Sequence, residues 1–288
     1  MAIESLRALE KASENRDIFE VVLDSDCTDR GVSREASLEK MHALYAAIRR
    51  AREGYDPALR SASGMVGGDG AKMREYVQKG KTICGDYIGQ VIAQALEMGE
   101  SNACMKCIVA APTAGSCGVL PAVLLPYQAR EELDDDAMVR ALYIAGAIGQ
   151  VVAAKASIAG AAGGCQAEIG TASAMGAAAL CYLGGGSAQA VCHAAAIAIK
   201  SMLGLVCDPI AGLVEVPCVK RNAAGAMIAM SSADMALAGI RSAVPPDEVI
   251  LAMREVGDKM DVSLKETGVG GVAGTPFGQK IAEKMGVL

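Results

Sequence analysis

Residues 169–199 contain no Asp, Glu, Lys or Arg, and most of them are Ala, Gly, Ser or Cys. A stretch this small and uncharged folds in only two ways: as helices buried among other helices, or as a membrane span. The triplet Gly184, Gly185, Gly186 divides it into arms shorter than the roughly 20 apolar residues that a bilayer requires. Buried small-residue helices are therefore expected. The rest of the chain has the same character. Hydrophobic residues make up 52% of 288, yet aromatics only 3%, with no Trp and two Phe. Apolar content carried by Ala, Met, Leu, Val and Ile, with few β-branched runs, argues for helices and against sheets. A chain this long also buries a sizeable core without disulfide or metal staples.

Punctuation supports an all-α fold, a compact multi-helix domain with Gly- and Pro-rich corners. Helical periodicity covers 3–20 and 34–53, the second capped by Ser33 and stopped by Gly54. The run SASGMVGGDG at 61–70 reads as a nest or turn; no lysine or hydroxyl follows in phosphate-loop register. A helix over 71–98 follows, broken near Gly80 and Gly85. Residues 106–111, KCIVAA, are the one short run that passes for a strand. Further helices are expected at 119–133, 136–160, 166–183, 188–203, 222–241 and 246–257. Ser187 and Asn222 stand as N-caps, and Gly184 and Gly204 as stops. An N-terminal helical segment, 1–60, and a larger helical unit, 61–288, are expected to form one continuous domain, with its only seam near 61–70.

A net charge of −6 and a pI near 5.1 leave no basic stripe, which argues against nucleic acid and anionic membrane surfaces as partners. The opening MAIESLRALEKASENRDIFE lacks the apolar run and cleavage site of a secretory signal. Ten cysteines without export imply a reducing compartment, expected here to be the cytoplasm, where thiols stay free or bind metal.

Three of those cysteines sit at glycine- or proline-marked corners: Cys165 in GGCQAEIG, and Cys207 and Cys218 bracketing CDPIAGLVEVPC. Each adjoins an expected helix start, where the dipole lowers thiol pKa and favours an anionic group such as a tris-thiolate iron–sulfur cluster. The competing reading is that buried cysteine is simply a small hydrophobe. The intervals match no general Cys-rich cluster run, and spacing alone leaves both readings open. For Cys84, Cys181 and Cys192 packing is the better reading. Cys104 and Cys107 form a lone C-x-x-C pair without histidine, which argues for packing over zinc. His42 and His193 lie within helical runs, apart from any Ser or Cys motif. Gly268, Gly270 and Ala273 imitate a dinucleotide fingerprint but leave too few residues for the strand–helix–strand unit. In the loop PTAGSCG, Thr113, Ser116 and the amides of Ala114 and Gly115 can converge on a carboxylate; an ordinary helix start explains them equally well.

Taken together, APTAGSCGVLPAVLL at 111–125, GGCQAEIGTASAMGAAAL at 163–180, GLVCDPIAGLVEVPCVKRNA at 204–223 and KETGVGGVAGT at 265–275 resemble the iron–sulfur-dependent bacterial L-serine dehydratases, from about residue 60 onward. The resemblance implies a [4Fe–4S] cluster on Cys165, Cys207 and Cys218 with the fourth iron open to L-serine, and no pyridoxal phosphate. It further implies that Asn102, Thr113, Ala114, Gly115 and Ser116 hold the substrate carboxylate. Lys265 and Glu266, with Thr267, match the family's KET stretch and are the candidates for catalysis, although solvated charges read equally well, and the general base stays unassigned. Lys220, beside Cys218, is expected to balance cluster charge. Single-chain members carry an additional N-terminal α/β domain with a Ser-Ser-Ser-His-Thr-type stretch that this sequence lacks, so the resemblance is to the separate α subunit of the two-chain type. A β subunit, in a heterodimer or larger αβ assembly, is then the expected source of a catalytic histidine. A helical iron–sulfur sensor or binding protein without turnover is the alternative.

Overall fold

A computed structural model describes residues 3–287. Among the described residues the chain is all-α and free of strands, apart from one isolated bridge between Cys207 and Lys265. In order the helices are α1 (Leu6–Ala12), α2 (Ile18–Arg30), α3 (Arg34–Glu53), α4 (Asp69–Gln78), α5 (Gly85–Ala103), α6 (Val119–Glu131), α7 (Asp135–Lys155), α8 (Gly160–Gly163), α9 (Thr171–Leu183), α10 (Ala188–Met202), α11 (Cys218–Leu237), α12 (Pro246–Lys259) and α13 (Pro276–Lys284).

The uncharged stretch becomes α9 and α10 at the centre of the molecule. Every residue of α9 from Thr171 to Cys181 is buried, and α6, α7, α10 and α11 surround it. Glycine sets the distances there. A Cβ on Gly225 of α11 would lie 2.7 Å from Ile169 Cγ2 and 3.0 Å from Ser173 Oγ, and one on Gly149 of α7 would lie 3.0 Å from the Met175 sulfur. These crossings bring backbones together, so the core gains its contact area from close approach instead of from large side chains. Among the described residues α7 alone is long and apolar enough to cross a membrane by length and composition, but about two thirds of its apolar window is buried inside the fold.

Helix starts follow local chemistry. Ser33 caps α3 through Ala36 N–H, Ser187 caps α10 through Ala190 N–H, and Asp134 caps α7 through Ala137 N–H. The expected helix over 3–20 is instead two, separated at 13–17 where Asp17 caps α2. The break between α4 and α5 falls at Gly80–Gly85, as expected; α7 ends at Lys155, five residues early, and α8 stands apart. KCIVAA is irregular, because no second strand exists to pair with it. Asn222 is no cap: α11 begins at Cys218, and Asn222 lies buried one turn in. α13, with Thr275 as cap and Pro276 in its first turn, carries a legible start signal that the sequence reading passed over.

The Gly-rich stretch at 61–70 is anchored by buried carboxylates. Glu215 accepts from the Ser61 hydroxyl at 2.6 Å and from the Ser63 hydroxyl, while Glu100 of α5 accepts from the amides of Asp69 and Gly70 and from Tyr55. Because Glu215 lies between Cys207 and Cys218, this anchoring also fixes the loop that joins them.

Candidate active site

Three chain segments meet near the C-terminal loop. The first turns at Gly164, whose φ of +76° and whose missing side chain make room for Met260 and the Leu205 carbonyl. Cys165 follows, then a single π turn, Gln166–Gly170, that runs into α9. Gln166 locks this turn to the second segment: its amide donates to Leu205 O at 2.9 Å, its side-chain oxygen accepts from Gly204 N–H, and its side-chain nitrogen donates to Met253 O in α12. The second segment carries Cys207. It opens no helix, contrary to the sequence expectation; Pro209 leads only into a short 3₁₀ turn, Ile210–Gly212. Cys207 is held instead by its bridge, its amide donating to Leu264 O at 2.9 Å and its carbonyl accepting from Glu266 N–H at 2.7 Å. Cys218 is the first residue of α11.

All three thiols are buried, and each lies within electrostatic reach of another. Burial pushes Cys165 up to about 11, with the Arg221 guanidinium pulling the other way. Burial and then the Cys165 charge push Cys218 up to about 12; burial and the same neighbours raise Cys207 further. Among the described residues no group of three or more His, Cys, Asp or Glu side chains stands ready to hold a metal ion.

The cation at this site is Arg221, which the sequence reading passed over in favour of Lys220. Lys220 is largely exposed and pairs with Asp69 at 3.2 Å. Arg221 is mostly buried, donates to Val206 O at 2.8 Å and pairs with Asp208 at 2.8 Å. The other oxygen of Asp208 accepts the Val272 amide at 2.8 Å. Position 271 must be glycine for this: its φ is +60°, and a Cβ would sit 2.2 Å from that oxygen.

The loop at 113–116 forms a 3₁₀ turn, Ala114–Ser116, with the hydroxyls of Thr113 and Ser116 3.1 Å apart. The amides that open such a turn have no partner within it. Asn222 binds this loop to α11, accepting from Gly118 N–H at 2.8 Å and donating to Gly115 O at 2.8 Å and Cys218 O at 3.0 Å. Glu168, on the π turn, faces the same loop: a Cβ on Gly115 would lie 3.6 Å from its Oε2, and the Cys207 sulfur is 4.0 Å from that oxygen. Burial raises the Glu168 carboxyl above its ordinary range, the Thr113 hydroxyl opposes this, and the nearby Glu266 carboxylate adds to it. Thus Thr113, Glu168, Cys207 and Glu266 share one place. Lys265 stands opposite Cys207 in the bridge, whose hydrogen bonds are made by its neighbours Leu264 and Glu266, and Thr267 donates to Ser263 O at 3.0 Å. Asn102 lies in the last turn of α5, its carbonyl accepting Met105 N–H. His193 accepts from Ser242 N–H, and His42 stands 3.2 Å from Asp136 on the surface.

Comparison with known proteins adds a second line of evidence. The family model described as serine dehydratase alpha chain matches residues 10–273. The chain is 49% identical over 245 residues to the "Probable L-serine dehydratase, alpha chain" of Bacillus subtilis, covering 85% of this chain and 80% of that one. It is 44% identical over 265 residues to the "L-serine dehydratase, alpha chain" of Peptoniphilus asaccharolyticus, covering 92% and 91%. The "L-serine dehydratase" of Mycobacterium bovis is 40% identical over 253 residues, which is 86% of this chain but 50% of that protein. With the match running through all the segments that meet at the site, the chain belongs to the serine dehydratase alpha-chain family.

Proposed function

We propose that this chain is the α subunit of an L-serine dehydratase, a lyase that removes water from L-serine to give pyruvate and ammonia. The observation that carries the reading is the convergence of Cys165, Cys207 and Cys218 on the place where Glu168 and the 113–116 loop also meet, in a chain of this family. Family membership implies iron–sulfur chemistry. The donor set suits a [4Fe–4S] cluster in kind, since such clusters are held by cysteine thiolates. Three buried thiols that resist ionisation alone suit a group that supplies compensating positive charge, and Arg221 offsets what remains. Gly160 keeps the place open, since a Cβ there would lie 2.8 Å from the Cys207 sulfur and 2.9 Å from Glu168 Oε2.

When bound, the cluster supplies an open iron as Lewis acid toward the substrate hydroxyl, a poor leaving group on its own. The chain's own part is positioning. Thr113, Ser116 and the amides of Ala114 and Gly115, with Asn102 at the end of α5, receive the substrate carboxylate. Asn222 keeps that loop in register with Cys218. Elimination removes the Cα proton and the β-hydroxyl as water, leaving aminoacrylate, which tautomerises and hydrolyses. Glu266, held at a φ of +62° beside Cys207, and Lys265 are this chain's candidates for proton transfer. The alpha-chain family implies a separate β chain as partner, and we assign the further catalytic histidine to it. The segments 1–60 and 61–288 act as one domain, since α2 and α3 pack on α7. Ten free cysteines suit a reducing cytoplasm.

The test is iron and acid-labile sulfide per chain after anaerobic reconstitution with the β chain, followed by pyruvate release from L-serine. About four of each per chain, lost in Cys207→Ser together with activity, is the expected result. Absence of iron from the wild-type pair overturns the reading.

A further inference from the structure

We infer that Glu168 is the subsite for the α-ammonium group of the substrate. The inference rests on the serine reading above and assigns one end of that substrate to a residue. Glu168 is half-buried, and among the described residues it has no ion-pair partner. Arg221, the cation that acts on Cys165 and Cys218, is already committed to Asp208 and Val206 O. The charge that acts on Glu168 is of its own sign, the Glu266 carboxylate, and the Cys207 sulfur lies 4.0 Å from its Oε2. A carboxylate withdrawn from water among like charges is costly unless a cation meets it.

An amino acid brings that cation to the required place. The amides of Ala114 and Gly115 that open the turn at 113–116 can meet a carboxylate, and Glu168 lies against the same turn, next to Thr113 and Gly115. The carboxylate and ammonium of an α-amino acid hang from one carbon, so a ligand whose carboxylate rests on the turn presents its ammonium to Glu168. Because residues 115 and 160 are glycines, neither places a side chain against the Glu168 oxygens, where added Cβ atoms would lie 3.6 Å and 2.9 Å from Oε2. The subsite therefore selects amino acids over hydroxy acids of the same shape.

The test uses the reconstituted αβ enzyme and measures dissociation constants by anaerobic calorimetry for L-serine, at a temperature where turnover is slow, and for L-glycerate, which replaces the ammonium by hydroxyl. Glu168→Gln removes the charge and keeps the shape; iron content and melting temperature report separately on integrity. L-serine is expected to bind roughly 10- to 100-fold more weakly to the variant, the worth of a charge-assisted hydrogen bond, with L-glycerate unchanged or tighter. Equal weakening of both ligands, or of neither, overturns the assignment. Should the variant lose its iron, the two ligands are compared on the wild type, where glycerate binding as tightly as serine overturns it. If neither ligand binds the wild type, it is the serine reading that fails.

Discussion

The guanidinium of Arg221 sits 2.8 Å from the carboxylate of Asp208, and the Asp208 side chain is only 4% exposed. One member of this pair follows Cys207 directly and the other lies one turn below Cys218 at the start of α11, so the pair clamps two thiol-bearing segments to each other. Removing either partner strands a buried charge. Arg221→Met is expected to lower stability by about 3–5 kcal/mol, measured by urea unfolding, and the double variant with Asp208→Asn is expected to recover part of that loss. Equal and additive losses would mean that the two groups act independently.

Two glycines separate backbone strain from crowding. Gly204 has a φ of +85° with nothing within 4 Å of an added Cβ, so Gly204→Ala is expected to cost about 1 kcal/mol, from the left-handed conformation alone. Gly271→Ala adds a collision with Asp208 Oδ2 and should cost more than about 2 kcal/mol. Calorimetric melting of the two variants in parallel checks the order.

Gly160→Ala should damage the site more than the fold. Its new methyl meets Cys207 and Glu168 and is expected to lower iron and sulfide per chain while the far-ultraviolet helix signal stays intact. Gly146→Ala, in the exposed face of α7 with open space around it, is the matched control and is expected to be stabilising by about 0.5–1 kcal/mol. Full iron content in Gly160→Ala would show that the two sulfur and carboxylate groups need less room than assigned.

The thiols should divide by burial. The reactive form is the thiolate, so a raised pKa reduces reactivity at any pH below it. Cys84 and Cys107 are exposed, contrary to the packing expected of them, whereas burial pushes Cys117 up to about 12 and Cys181 up to about 11. Brief alkylation at pH 8, read by peptide mass spectrometry, is expected to label Cys84 and Cys107 first and to spare Cys117, Cys181 and Cys192 until the chain unfolds.

Much of the fold was legible because small residues and caps act locally. Ser33, Ser187 and the Gly80–Gly85 break placed their helices, and the uncharged run correctly announced a buried centre. What escaped depends on long-range partners. Asn222 resembles a cap in sequence, and only the fold reveals that Gly115 and Gly118 complete its hydrogen bonds. Lys220 and Arg221 are adjacent and alike in charge, yet the helix turns one toward solvent and the other inward. Glu168 stood inside a quoted motif, but its proximity to Thr113 and Cys207 arises from the π turn and the Cys207 bridge, neither of which has a local signal. The C-terminal α13 did carry one, in Thr275 and Pro276.

The bridge that holds Cys207 also has a history in time. Its partner atoms belong to Leu264 and Glu266, and the cover over Asp208 belongs to Val272. These positions leave the ribosome some seconds after Cys218, at roughly 5–20 residues per second. During that interval the three thiols exist on the nascent chain without their latch, and a newly made molecule is at its most open to whatever loads it.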